Sequence, residues 1–244
     1  MTYIALPMET KSNGIIACID FEKAFDSVEW SFILKALVAF NFGPKFTKWT
    51  TIMYNDITSC VTNNGYSSEF FKISRGIRQG CPLSAYLFLL VAELLALSIR
   101  QNQHIHGISI GESELKIIQM ADDTTTFLNG PVSLQRCLLS FSIFSIISGL
   151  YINTSKSEAL GLEVYENLHK KKPYGLKWNM DKLFSLGIHF CKNSDDTILR
   201  NFSSRFDKLK KVLNVWLPCS LSLKGKITVI KNKILPQILY VCSN

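Results

Sequence analysis

The apolar positions of this chain alternate between short continuous runs and helix-spaced stretches, which predicts strands interleaved with helices. Ile15-Ile-Ala-Cys-Ile19 is a β-branched run that reads as a buried strand ending at Asp20. From Glu22 the spacing turns helical: Phe25, Val28, Phe32, Ile33, Ala36 and Leu37 recur every three or four residues until Asn41-Phe-Gly43-Pro44 stops the helix. Two strands, over 57–62 and 70–73, flank a hairpin turn at Asn63-Asn64-Gly65. A loop punctuated by Gly76, Gly80 and Pro82 leads into a long helix over 83–99. Strands at 115–120 and 124–128 are joined tightly through Ala121-Asp122-Asp123, and a helix over 140–147 is followed by Gly149 as C-cap and a short strand at 150–152. Beyond Lys170-Lys-Lys-Pro173, Ile198, Phe202, Phe206, Leu209, Leu213 and Trp216 form one apolar stripe, with Arg200, Arg205, Lys208 and Lys211 on the other faces. The pattern is α+β, closing on a basic helical segment.

Composition narrows this picture. The 244 residues are 47% hydrophobic and 19% charged, enough to bury a substantial core. Seven dispersed cysteines with no Cys-x-x-Cys pair indicate neither a disulfide framework nor a zinc site. The stretches 83–99 and 137–152 approach membrane-spanning length. Glu93 interrupts the first and four serines with Gly149 punctuate the second, so both read as buried helices. The first eleven residues lack a basic region followed by an apolar one, which predicts an intracellular, non-secreted protein of nucleus or cytoplasm. Gly225-Lys226 lacks the upstream glycine of a phosphate-binding loop.

Charge is divided unevenly. Residues 1–168 carry 12 Lys/Arg against 15 Asp/Glu, whereas residues 169–244 carry 15 against 4, for a formal net charge of +8. A basic segment of this strength suits nucleic acid or another anionic surface.

The candidate chemistry lies in three carboxylates. Asp20 ends a buried strand and Asp122 with Asp123 occupies a hairpin turn. A single aspartate at such places commonly serves only the nearby backbone amides. Two ionised neighbours at the rim of a core repel each other, and a raised pKa or a bound cation relieves them. With the strand ends side by side, three hard oxygen donors converge, a set suited to Mg²⁺ held by carboxylates, substrate phosphates and water. Two such ions about 4 Å apart serve phosphoryl transfer.

Five ordered segments carry a resemblance. Asp20-Phe-Glu-Lys-Ala-Phe-Asp26, Arg75-Gly-Ile-Arg-Gln-Gly-Cys-Pro-Leu-Ser84, Met120-Ala-Asp-Asp123, Gly149-Leu-Tyr-Ile-Asn-Thr-Ser-Lys156 and Leu186-Gly-Ile-His-Phe190 resemble the palm motifs of reverse transcriptases of non-LTR (LINE-type) retrotransposons. Leu221–Lys231 and Ile234-Leu-Pro236 resemble the segment that follows the palm in the same elements. The resemblance implies a right-hand polymerase: a palm of antiparallel sheet backed by helices, a partial helical thumb, and fingers largely missing. Residues 1–168 would be palm with a fingers remnant, 169–193 a linker and primer-grip hairpin, and 194–244 an incomplete thumb.

The resemblance also assigns roles. Asp20, Asp122 and Asp123 would hold two Mg²⁺ ions, with Mn²⁺ as a substitute. Lys156 would protonate the departing pyrophosphate; its alternative is an exposed lysine at a strand end. Phe21, Phe25, Gln79 and Gly80 would surround the incoming nucleotide, Phe25 excluding a 2′-hydroxyl unless it merely starts a helix's apolar stripe. Arg75, Arg78, Leu186, Gly187, Lys208, Lys211, Lys224 and Lys226 would face nucleic acid. The implied partners are an RNA template, a DNA primer and dNTP, with no membrane and no stable protein partner. The implied activity is RNA-directed DNA polymerisation, against the alternative of a catalytically inactive remnant that only binds nucleic acid. Met120 departs from the family's usual Phe or Tyr before Ala-Asp-Asp.

Overall fold

The computed structural model describes residues 13–185 and 187–242. The N-terminal stretch read for a leader, and Leu186 of the expected primer grip, lie outside the described residues.

Strand β1 (Gly14–Ile19) is the centre of the molecule. A single helical turn, α1 (Ala24–Ser27), precedes α2 (Trp30–Ala39) and α3 (Pro44–Met53). The short strands β2 (Thr58–Ser59), β3 (Thr62–Asn63), β4 (Tyr66–Ser67) and β5 (Phe71–Lys72) form a hairpin ladder. The long helix α4 (Pro82–Gln101) leads to the small hairpin β6 (Ile108–Ile110) and β7 (Ser113–Leu115), then to β8 (Ile117–Met120) and β9 (Asp123–Leu128). Helix α5 (Pro131–Ser148) is followed by β10 (Glu158–Leu162), α6 (Leu168–Lys171) and β11 (Lys177–Asn179). The hairpin β12 (Lys182–Ser185) with β13 (Ile188–Cys191) precedes α7 (Ser194–Trp216), α8 (Leu223–Val229), a π-helical turn at Ile230–Ile234 and α9 (Leu235–Cys242).

The main sheet has the order β11-β10-β1-β9-β8. Every pairing is antiparallel except β10 with β11, which corrects the expectation of a purely antiparallel sheet. The reason is topological: residues 163–176 run from the Leu162 end of β10 back to its Glu158 end, and a crossover to the opposite end returns a strand in parallel. Strand β11 therefore brings a piece of the expected 169–193 linker into the sheet.

Strand alternation divides the sheet into two faces. Ile15, Ala17 and Ile19 point toward the helices, joining Leu87, Phe88, Val91, Leu95 and Ile99 of α4 and Leu134, Cys137, Phe141 and Phe144 of α5. Each long apolar helix thus packs one face into the core, while Leu89 of α4 and Leu139, Ile143 and Ile146 of α5 stay exposed on the other, so neither is the fully buried helix expected. Burial alone pushes the Cys137 thiol up to about 12. On the other face Ile16 packs with Phe127, Leu160, Leu162 and Leu183, so hairpin β12–β13 covers the lower part of that face.

Several local expectations are revised by long-range hydrogen bonds. The helix expected from Glu22 to Asn41 is interrupted at Val28 and Glu29, which are extended. There Gly76 N–H donates to the Val28 carbonyl and Glu29 N–H donates to the Ser148 carbonyl, bonds a continuous helix would forbid. Pro44, read as a stop, is also the first residue of α3, the position proline favours. The helix expected at 140–147 begins nine residues earlier, and the expected 150–152 strand is a single bridge between Ile152 and Phe21. The Asn64-Gly65 turn is as read, with φ of +48° and +83° in the left-handed pair that a tight hairpin demands.

The apolar stripe on α7 stays largely at the surface. Leu209 is buried, whereas Ile198 is 58% and Phe206 51% exposed. What fixes α7 is polar: the buried Asn201 side chain donates to the His189 carbonyl and accepts from His189 N–H, at 2.7 and 2.8 Å.

Candidate active site

Antiparallel pairing sets Ile19 of β1 opposite Thr124 of β9, so the next residue along β1, Asp20, adjoins Asp123 at the neighbouring strand end. Asp123 is in turn paired with Met120 across the hairpin formed by β8 and β9, with Ala121 and Asp122 as its two turn residues. Ala121 has a φ of +55°, left-handed backbone at the first turn position where a II′ turn ordinarily takes glycine. Strain is thus stored beside the carboxylates.

Asp20 and Asp123 share one cleft of about 470 Å³ with Cys18, Lys156, Glu158 and Gly187, whereas Asp122 is exposed on the turn and is not part of that lining. Four residues singled out from sequence therefore meet from distant parts of the chain. Partial burial, then the nearby charges of Asp122 and Asp20, holds the Asp123 carboxyl above the usual carboxylate range. Negative charge is crowded here, and a cation is what would relieve it. Among the described residues no group of three or more His, Cys, Asp or Glu side chains is arranged to hold a metal ion. The open pair Asp20 and Asp123 fits Mg²⁺, which binds through one or two carboxylates and keeps its remaining positions for water and phosphate.

The other expected residues fall elsewhere. Phe21 is a correction: alternation turns its ring away from Asp20 into the helical core, 6.1 Å from the ring of Phe141, so its side chain cannot surround a nucleotide in the cleft. Phe25 is half-buried and stacks on Phe88, with ring centroids 4.5 Å apart. Ile77 N–H donates to the Phe25 carbonyl at 2.6 Å, which ties the Arg75–Ser84 loop to the first helical turn. Gln79 and Gly80 are exposed on that loop, Gly80 at a φ of +83° with open space around it. Arg75 and Arg78 line a second hollow of about 880 Å³ with Trp30, Tyr54 and Phe70, not the carboxylate cleft. Arg75 also approaches Glu29 at 3.8 Å. Lys208 and Lys211 are exposed on α7, and Lys224 and Lys226 on α8. Gly187 is held in the cleft wall by Arg205, whose guanidinium donates to its carbonyl at 3.2 Å.

Sequence reasoning missed Cys18 and Glu158. Cys18 stands two residues before Asp20, which is the period-2 signal that would have found it. Burial raises its thiol above the ordinary value, while Thr125 works the other way. Glu158 pairs with Cys18 across the sheet and is held by Lys177 and Asn179 at 2.5 and 2.7 Å.

A five-stranded sheet with helices on one face, and acidic strand ends meeting at the edge of the other, is the palm of a nucleic-acid polymerase. Residues 5–190 match the family described as reverse transcriptase (RNA-dependent DNA polymerase), and the chain belongs to that family. Its relatives are of the non-LTR type. It is 28% identical to the transposon TX1 uncharacterized 149 kDa protein of Xenopus laevis over 91% of this chain and 17% of that protein. It is 26% identical to the Pol polyprotein of the type-1 retrotransposable element R2 of Popillia japonica, over 100% of this chain and 35% of the relative. The chain thus spans about a sixth to a third of the length of these relatives. Among solved structures it resembles apo telomerase from Candida tropicalis, with a TM-score of 0.55 and 12% identity over 75% of this chain and 32% of that one.

Proposed function

We propose that this chain is the catalytic core of an RNA-directed DNA polymerase, extending a DNA primer with dNTPs on an RNA template. The observation that carries this reading is the convergence of Asp20, Asp123, Lys156 and Gly187 on one cleft. Asp20, Asp122 and Asp123 would hold Mg²⁺, or Mn²⁺ in its place. Bound there, the metal ions supply acidity to the primer hydroxyl and neutralise phosphate charge.

The remaining work belongs to the chain. The primer 3′-hydroxyl attacks the α-phosphate of the dNTP, a P–O bond forms, and pyrophosphate leaves from the opposite side. Lys156, exposed on the cleft wall, donates a proton to the leaving group, help typically worth about 10²–10⁴-fold. The half-buried ring of Phe25 stands under the sugar and excludes a 2′-hydroxyl. Gln79 and Gly80 face the base pair being formed, and Arg75 and Arg78 meet the template. Gly187, on its hairpin turn, holds the primer end. Lys208, Lys211, Lys224 and Lys226 lie on exposed helices that act as a thumb along the duplex, and this strand-holding is what the basic C-terminal third supplies. The chain works inside the cell, where template and dNTPs are found.

Primer extension on an RNA template with Mg²⁺ tests the reading, using the full chain beside an Asp122→Ala/Asp123→Ala variant. Incorporation by the former and loss in the latter is expected. Equal incorporation by both, or duplex binding with no incorporation by either, leaves only a nucleic-acid-binding remnant.

A further inference from the structure

The β1 ladder ends at Ile19 on the β9 side and at Cys18 on the β10 side, so Asp20 lies one residue beyond strand support. Its main chain is nonetheless fully bonded. Asn153 N–H donates to the Asp20 carbonyl at 2.8 Å. The Ser157 hydroxyl donates to the Asn153 carbonyl at 2.8 Å, and Asp20 N–H donates back to Ser157 Oγ at 3.0 Å. These three bonds close a ring. Ser157 is 0% exposed, so its hydroxyl both gives and receives where water cannot substitute.

The same short segment controls Lys156. The Lys156 N–H is shared between the Asn153 carbonyl at 3.2 Å and Asn153 Oδ1 at 3.3 Å, and Ser155 Oγ donates to that Oδ1 at 2.7 Å. One residue therefore anchors both the segment that holds Asp20 and the lysine facing it. An alanine at 157 would fill nearly the same space, so packing does not explain a buried hydroxyl here; the Asp20 amide does.

We propose that Ser157 is a positioning residue for nucleotidyl transfer, fixing the Asp20 carboxylate relative to Asp123 and Lys156 through the Asp20 main chain. The inference rests on the polymerase reading above for its kinetic consequence, though not for its structural one. Removing the hydroxyl leaves the Asp20 amide without a partner and frees the strand end at the point where the carboxylate is carried. Supporting groups of this kind typically change metal affinity or activity by about 10- to 100-fold.

The test compares the full chain with Ser157→Ala, Ser157→Thr and Asp20→Asn in three measurements: amide hydrogen exchange, Mn²⁺ binding by electron paramagnetic resonance with dNTP present, and single-nucleotide extension. Ser157→Ala is expected to speed exchange of the Asp20 amide while Ile15–Ile19 remain protected. It should weaken Asp20-dependent Mn²⁺ binding about 10-fold or more, and lower kcat with KM for dNTP unchanged. Ser157→Thr, which keeps the hydroxyl, should restore both. The proposal is overturned if Ser157→Ala binds Mn²⁺ as the parent does, if the parent shows no Asp20-dependent binding, or if kcat, KM and protection of the whole sheet fall together. A parent chain that binds Mn²⁺ in this Ser157-dependent way but extends no primer upholds the positioning role and removes the polymerase reading alone.

Discussion

Replacing Gly149 with alanine should disturb the site without touching it. Gly149 caps α5 at a φ of +81°, and an added Cβ would lie 2.2 Å from the Ser27 carbonyl oxygen and 3.2 Å from Glu29 Cγ. The nearer neighbour is backbone and cannot rotate away, so the contact must open by about 1 Å to reach an ordinary separation. The left-handed conformation costs about 1–2 kcal/mol for a residue with a Cβ, and forced displacement in a packed region adds roughly 1–3 kcal/mol. Together they predict a loss of about 2–5 kcal/mol, read as a lower urea midpoint at unchanged slope. The displaced segment continues directly into the bonds that join Tyr151 to Glu22 and Asn153 to Asp20. At temperatures where the variant is still folded, extension should therefore fall by on the order of 10²-fold, the penalty for a 1 Å misplacement of reacting groups. A loss under 1 kcal/mol with full activity would refute the close-packing argument.

Other outcomes follow from single contacts. Phe25→Ala removes a half-buried ring stacked on Phe88 and should cost about 1.5–2.5 kcal/mol, roughly half the value for a fully buried phenylalanine. It should also admit ribonucleotides in extension assays, and unchanged deoxynucleotide preference would assign the ring to packing alone. Asp123→Asn relieves like charge across adjacent strand ends, so metal-free melting should show a gain of about 0.2–1 kcal/mol while extension is lost; a destabilised variant would contradict the crowding inferred there. Glu114 is held below its ordinary carboxylate range by the Gly107 amide and by Lys116. Its stabilising contribution is therefore present above the ordinary glutamate pKa and lost as pH falls through the depressed one. Glu114→Gln should melt lower than the parent at pH 7 and converge with it in acid, and a constant difference across pH would remove that ion pair from the account.

Elements with strong local patterns were legible in the sequence. The β-branched run of β1, the apolar length of α4 and the Asn64-Gly65 turn each carry their instructions within a few residues. Strand β10 did not announce itself: Glu158-Ala-Leu-Gly-Leu162 holds one glycine and no β-branched residue, and its extension is imposed by pairing with β1. The break at Val28 and Glu29 was equally hidden, because its causes, Gly76 and Ser148, lie 48 and 119 residues downstream. At the site, Asp20, Asp123 and Lys156 stand out by motif, and the fold brings these three to one cleft. Ser157 does not stand out, since a serine's importance here depends on an amide 137 residues away that needs a partner. The resemblance sets Phe21 beside the nucleotide, whereas the count of alternate positions along β1 turns its ring opposite to Asp20, into the helical core.

That alternation has a consequence for how such a gene tolerates length changes. Deleting one codon within β1 would leave the strand hydrophobic and still able to pair, yet would turn the Asp20 side chain into the helical core and expose its apolar neighbours. Deleting two codons would return the carboxylate to the open face but draw it about 7 Å down the sheet from Asp123. Neither length change recovers the site, whereas the surface turn at Asn64-Gly65 can lengthen with no effect on the carboxylates. Single-residue and two-residue deletions within β1 should therefore abolish primer extension, whereas insertions at the Asn64-Gly65 tip should leave it intact.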